Sequence, residues 1–509
     1  MKPSDELFRL IRSLSKAEKR GFKLYAARYT GSKTYLKLFD AIDKQKEYNE
    51  DKLLKLFAKE KFSRQLHRYK NYLNSLILQS LEIQYSDDTV DSLLKHKVLQ
   101  IAILYKKGLF EQCRKLISNA KELAQKRESY LVLLELSHWE FRLTAIQSYL
   151  NVDENYIVNL FKTEFNTMEE YKNYREYSEL EGKAFNVFKK EGLMRSPSHL
   201  KQLNKLASHP LLSDEKKANS FISKIKFHSI HVAICSITHN FKKIIIHTKR
   251  IVDLIEENPY HIADNKSNYI ICLANHFNSQ MTLNQYSGAL QTVNKIKNIQ
   301  VISQGDKEMV TLMLIDKELF MYYKTGDFEK GKSLLNSIDS GNFESIVVKY
   351  KRESEVFFKI ANIYFGLGEF QQASTYSKKI INSTFTNQRK DIECFSRVFS
   401  LIIYFETGDQ DQLEFSIRSV YRFLLKRDRL YKFEDAILTF IRKKIIKVTT
   451  KEELRKAFVE LKDKLEKVIK DPFEKTALDY FDFISWLESK IKKRPFAEVV
   501  REKAKQVAS

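Results

Sequence analysis

The residues best suited to chemistry lie in HSIHVAICSITH, where His228, His231, Cys235 and His239 follow at i, i+3, i+7 and i+11. On a helix this spacing gathers three imidazoles and a thiol along one stripe, and nitrogen and sulfur ligands of that kind suit zinc. A plainer reading competes with it. A cysteine on an apolar helix face is a small buried hydrophobe, and His239 sits where the helix should turn, so no metal ligand is assigned. Acidic pairs such as Asp87 with Asp88, or Glu256 with Glu257, fall in linkers and at helix ends, where solvated carboxylates belong. The chain contains no HExxH and no GxSxG, and no GxGxxG follows a strand. These absences argue for a protein that is not an enzyme and uses no cofactor.

The elements that would position such residues are helices. Among 509 residues there are only thirteen glycines and six prolines, too few for a turn-rich fold, and a chain this long forms several domains or an elongated array. Charged residues at 30% beside hydrophobic ones at 43% describe a folded, soluble chain. No apolar run is long enough to span a bilayer, and the charged start MKPSDELFRLIRSLSKAEKR does not read as a secretory signal, so a cytoplasmic location is expected. Cys113, Cys235, Cys272 and Cys394 are scattered singly and read as reduced core residues. The formal charge of +23 invites a polyanion as partner, although the surplus is spread along the chain.

Three stretches share one pattern: FMYYKTGDFEKGKSLL, NIYFGLGEFQQASTYS and IIYFETGDQDQLEFSI. Aligned on Gly326, Gly368 and Gly408, they place Tyr322, Tyr364 or Tyr404 four residues before the glycine. Phe328, Phe370 or the exceptional Gln410 stands two after it, and Gly331, Ala373 or Leu413 five after it. The glycine ends one helix and reverses the chain into a second. The aromatics fill the wedge between them, and the small residue lets the axes approach, a role that Leu413 fits poorly. A recurrence at 40 to 45 residues signals stacked supersecondary units.

This pattern resembles the tetratricopeptide repeat. A further copy, LYKKGLFEQCRKLISNA, carries Leu104, Gly108, Phe110, Cys113 and Ala120 in the same columns, and weaker copies surround Phe241 and Tyr286. The resemblance implies an all-α fold, a right-handed α-solenoid of helix pairs with repeats longer than the usual 34 residues, similar to that of bacterial members of the superfamily. It also implies a protein or peptide partner lying in a groove along the first helix of each pair, held by asparagine amides. By offset from the columns, Asn278 and Asn362 fall at groove-facing positions, with Asn275 adjacent and Lys324 near. Exposed polar residues without a partner are the alternative.

Four segments follow: an N-terminal helical unit at 1–85, degenerate repeats at 90–225, repeats at 226–430 and a helical cap at 431–509. In the first, a capping box of Ser15 and Glu18 starts a helix, and a long helix from Phe62 to Ile83 turns Leu66, Tyr69, Leu73, Leu76 and Ile83 inward. Arg64, His67, Arg68 and Asn71 lie outside, so a nucleic-acid-binding unit is the second functional reading. Near 213, Ser-Asp-Glu reads as a fresh helix start. In the last segment Phe473, Tyr480, Phe483 and Trp486 form an apolar stripe suited to covering the end of the array; a membrane-surface helix is the alternative.

Overall fold

A computed structural model describes residues 5–508, except 30–33, 87–88, 147–151, 192–199, 302–303, 339, 383–389, 428 and 446–449. The described residues form α-helices and short 3-10 turns, with no strand among them. They divide into two compact units, Met1–Tyr171 and Lys172–Ser509. That division falls inside the stretch read as degenerate repeats.

The first unit opens with α1 (Glu6–Ser13), α2 (Lys16–Tyr29), α3 (Thr34–Asp43), α4 (Glu50–Leu56) and α5 (Leu66–Gln84). The expected capping box starts α2: the Ser15 amide donates to Glu18, and the Glu18 amide donates back to Ser15 Oγ. Phe22, Leu38, Phe39, Ile42, Leu73 and Ile77 form the fully buried centre. The long helix is shorter than expected. Lys61–Gln65 is a 3-10 turn, and Ile83 is exposed, because at this end of α5 it is Gln84 that lies against Gly21 of α2. There follow α6 (Val90–Lys106), α7 (Phe110–Lys126), α8 (Tyr130–Ile146) and the start of α9 (Glu154–Glu191), with Leu94, Ile101, Cys113, Ala120 and Leu136 buried between α6, α7 and α8.

The second unit holds the rest of α9 and then α10 (Leu200–Ala207). The helix start expected near 213 is only a 3-10 turn, Glu215–Lys217, whose Asp214 side chain accepts from the Lys216 amide. The next α-helix begins at Phe221, capped by Ser220. From here the chain runs in pairs: α11 (Phe221–Ile237) with α12 (Phe241–Glu257), then the short α13 (Pro259–Asp264), and α14 (Lys266–Thr282) with α15 (Tyr286–Lys297). Next come α16 (Gln304–Thr325) with α17 (Phe328–Asn336), α18 (Ser340–Lys349), α19 (Glu353–Gly366) with α20 (Phe370–Ile381), and α21 (Lys390–Thr407) with α22 (Gln410–Lys426). Each pair packs internally, and the first helices α14, α16, α19 and α21 pack on one another in order.

Every pair turns the same way. Gly108, Gly326, Gly368 and Gly408 adopt φ of 69° to 77°, the left-handed conformation that glycine takes without strain. The amide after each glycine donates to the carbonyl five residues before it, as Asp327 does to Tyr322, Glu369 to Tyr364 and Asp409 to Tyr404, which satisfies a helix-end carbonyl. His239 and Asn284 make the same turn at φ 55° and 57°, with Asn240 donating to Cys235 and Gln285 to Gln280. The weak copies around Phe241 and Tyr286 thus share the strong copies' geometry. The column five after the turn is buried throughout the strong copies. A β-carbon on Gly331 would meet Ile363 Cδ1 at 2.5 Å, Ala373 is fully enclosed, and Leu413 is buried despite its size.

The chain ends with α23 (Lys432–Lys443), α24 (Lys451–Val468), the short α25 (Pro472–Lys475), a 3-10 turn at Thr476–Asp479, α26 (Phe483–Lys492) and α27 (Phe496–Ala508). A capping box of Thr450 and Glu453 starts α24. The terminal stripe is inside the protein: Phe483 and Trp486 are 1% and 2% exposed, so it offers no membrane-surface face. The Phe473 side chain lies outside the described residues. No helix among the described residues is long and apolar enough to cross a membrane.

Candidate functional site

The faces of α16, α19 and α21 are taken up by the protein's own carboxyl end. The Tyr323 hydroxyl donates to the Asp479 carbonyl at 2.6 Å, and the Tyr480 hydroxyl donates to Asp391 on α21 at 2.5 Å. Tyr480 also stacks on Phe395 at 4.0 Å. Phe481 lies among Phe365, Phe399, Phe483 and Phe496, and Trp486 Nε1 donates to Glu406 at 2.6 Å. On α27, Phe496 stacks on Phe328, and Arg501 donates to the Gly326 carbonyl at 3.1 Å.

Two of the four expected groove residues are consumed by this arrangement. The Lys324 ammonium donates to the Leu478 carbonyl at 3.3 Å. Burial works against its charge, yet Tyr323, Asp479 and Asp482 hold it above the usual lysine range. Asn362 is 3% exposed, and its amide donates to the Phe358 carbonyl one turn back. Its groove-facing offset was counted from the repeat columns, and the packing of α19 against its neighbours encloses that position instead. The Asn362 side chain has no free face for a partner, and the half-buried Lys324 spends its ammonium on the protein's own chain.

Asn275 and Asn278 remain, and they lie together. Both line a cavity of about 340 Å3 formed by α9, α11, α12 and α14. From α14 come Cys272, Asn275, Asn278, Ser279 and Thr282, and from α11 come Ser229, Val232, Ala233 and Ser236. Phe185 of α9 with Phe241, Ile244, Thr248 and Ile251 of α12 completes the wall. No charged side chain and no residue of 476–508 lines it. Spacing explains the assembly: 275, 278 and 282 share a face of α14, as 229, 232 and 236 share one of α11.

The two amides differ in freedom. Asn278 Oδ1 accepts from Lys317 Nζ at 3.0 Å, which fixes the amide with its Nδ2 donor pointing elsewhere. Lys317 is itself held by Asp316 on the buried side of α16. Burial would raise the Asp316 carboxyl, but Lys359, Lys317 and Arg352 hold it well below the usual carboxylate range. Asn275 is exposed, and among the described residues its side chain has no hydrogen-bond partner. Deeper in, Thr248 bonds Ser279 at 2.9 Å and His276 at 3.1 Å, so that part of the wall is internally satisfied. Burial raises the Cys272 thiol to about 11, which keeps it protonated and unreactive. The hydroxyl residues escaped notice in the sequence because the repeat columns mark helix packing and not the outward face.

The histidines gather differently from their spacing. His228 Nδ1 lies 2.9 Å from His247 Nδ1 across the α11–α12 interface, and His231 stacks on His247 at 4.7 Å. Cys235 is buried and His239 forms the turn. Among the described residues no three His, Cys, Asp or Glu side chains are placed to hold a metal ion. One motif match escaped notice in the sequence, and it dissolves in the same way. Residues 326–333, GDFEKGKS, fit the letters of the phosphate-loop pattern GxxxxGK[ST]. In the fold they join two helices rather than a strand and a helix. The amides of Asp327, Lys330 and Gly331 are bonded within the turn, and Lys332 pairs with Glu369, so the backbone has no open cradle for phosphate.

In the first unit Arg64, His67 and Arg68 are exposed on the side of the 3-10 turn and α5 away from the core. His67 Nε2 lies 3.2 Å from the Asn71 amide, and no carboxylate among the described residues forms an ion pair with the two arginines. No protein-family model, no curated protein and no solved structure matches this chain.

Proposed function

We propose that this protein is a non-catalytic scaffold whose helix pairs stack as a tetratricopeptide-like, right-handed α-solenoid and hold an extended segment of a protein partner in the α11–α14 cavity. The observation that carries this reading is the wall itself: amides and hydroxyls interleaved with aliphatic and aromatic side chains, and no charge. An extended main chain presents unpaired carbonyls and amides. Asparagine serves both, because one side chain donates and accepts. The free amide of Asn275 and the oriented Nδ2 of Asn278 supply donors, and a cavity of about 340 Å3 takes a small apolar side chain between them. With α16, α19 and α21 covered by the protein's own carboxyl end, the partner is confined to the α11–α14 part of the array.

Affinity capture from the native cytoplasm with the full chain tests this. We expect one stoichiometric protein, retained after nuclease treatment and at raised salt, and lost with Asn275→Ala combined with Asn278→Ala. Retention in the double variant overturns the assignment. The second reading, nucleic-acid binding through Arg64, His67 and Arg68, is favoured only by the two arginines, which form no ion pair with a carboxylate among the described residues. It predicts an affinity that falls steeply with salt and is lost on Arg64→Gln with Arg68→Gln.

A further inference from the structure

We propose that the depression between α22 and α23 is a binding site for a phosphomonoester dianion. Arg418 and Arg422 of α22 and Arg442 of α23 line one depression of about 220 Å3, with Tyr421 and Thr439 beside them. Its floor is apolar, because Ile417 and Leu438 are buried at 3% and 2% exposure. Arg418 and Arg422 stand one helical turn apart, so both side chains run over the same face.

Some arginines of this unit have carboxylate partners: Arg397 pairs with Glu393, Arg494 with Glu498 and Glu502, and Arg352 with Glu355. Arg418, Arg422 and Arg442, like Arg175, Arg427, Arg429 and Arg455, form no ion pair with a carboxylate among the described residues. What sets the first three apart is that they line one depression. Like charges one turn apart disfavour a helix, and a third cation facing them adds to that repulsion. Three guanidinium groups around one depression without an acid are therefore arranged for an anion from outside.

The geometry leaves their donors available. Arg422 Nε donates to the Arg418 carbonyl at 3.4 Å, which steadies the side chain while its terminal amino groups stay free. The Arg442 guanidinium lies 5.8 Å from the Tyr421 ring centre, a cation–π placement that limits its swing. Three planar forks offer more donors than the two oxygens of a carboxylate can accept. A phosphomonoester carries three terminal oxygens and close to two negative charges, which matches three forks with the Thr439 hydroxyl in reserve. The floor and Tyr421 then face the organic part of the ester. This site shares no residue with the α11–α14 cavity and stands or falls separately.

The test is titration of the full chain with inorganic phosphate and, separately, with O-phosphoserine, at constant ionic strength in chloride, followed by phosphorus NMR and calorimetry. Saturable binding of either probe is expected, weakened about tenfold or more by Arg442→Gln. Arg442→Lys should weaken it as well, because the charge is kept and the fork is lost. Tighter binding of phosphoserine than of inorganic phosphate identifies an organic ester as ligand; equal binding identifies free phosphate. The wild-type titration decides even if a variant misfolds. Linear, unsaturated response to both probes up to about 10 mM, a range that includes even weak millimolar sites, overturns the proposal. So does unchanged affinity in the triple variant R418Q/R422Q/R442Q, or binding of a single-stranded oligonucleotide when neither probe binds.

Discussion

At the scale of single residues, the turn positions separate two kinds of constraint. Gly408 needs only its conformation: φ is +69°, and a β-carbon there would meet nothing within 4 Å. Gly326 needs conformation and space, since a β-carbon would lie 2.8 Å from the Arg501 amide nitrogen and 3.0 Å from the Ala497 carbonyl oxygen. Gly408→Ala should therefore cost about 1–2 kcal/mol, the usual penalty for a left-handed L-residue. Gly326→Ala should cost at least about 1 kcal/mol more, because α27 must shift as well. Denaturant unfolding of the two variants checks this, and equal costs would mean that α27 does not rest on the turn. The glycine column was legible in the sequence because each glycine serves its own turn; the phenylalanine column was legible by spacing alone, since Phe328 packs on Gly366 of the next pair and on Phe496 of α27. Asn362 was misplaced because an offset within a repeat does not reveal which neighbours enclose it.

At the scale of elements, the α11–α12 interface contains three neighbouring imidazoles. Burial pushes all three below their ordinary range; it pulls His247 down to about 4, with His231 and His228 adding repulsion. Lys243 and Arg250 also disfavour protonation, while Glu215 beside His228 favours it. In the unfolded chain these groups titrate near 6.5. Between about pH 6.5 and 4 the unfolded state therefore binds more protons than the folded one. The contribution to stability is complete above pH 6.5 and is lost as the pH falls toward 4. The melting temperature should drop between pH 7.5 and 5, and His247→Leu should reduce that drop. A variant with the parent's full pH dependence would remove the cluster from the account. The two outer histidines were visible as a motif, but His247 belongs to the next helix and entered only through packing.

At the scale of the second unit, the helices α16, α19 and α21 are covered along one face by a segment distant in sequence. Tyr323 and Asp479 are 156 residues apart, and Lys324 and Leu478 are 154 apart. Phe481, 1% exposed, joins Phe365 of α19, Phe399 of α21 and Phe496 of α27. Phe481→Ala should cost about 3–5 kcal/mol, as other deletions of buried aromatic rings do. Calorimetry should show a lowered melting temperature, with increased binding of a hydrophobic dye as the faces of α19 and α21 open. A cost under about 1 kcal/mol would mean that the segment rests loosely on these helices.

The sequence by itself determined the helices, the capping boxes and the paired turns, because the bonds that create them span at most five residues. Only the tertiary structure decided which of the residues expected to face a groove stay open. The carboxyl-terminal segment lies over α16, α19 and α21, while the amides and hydroxyls of α11 and α14 face a cavity it does not line. That outcome depends on the summed direction of many turns, and no local pattern of residues encodes where a chain arrives after more than 150 positions.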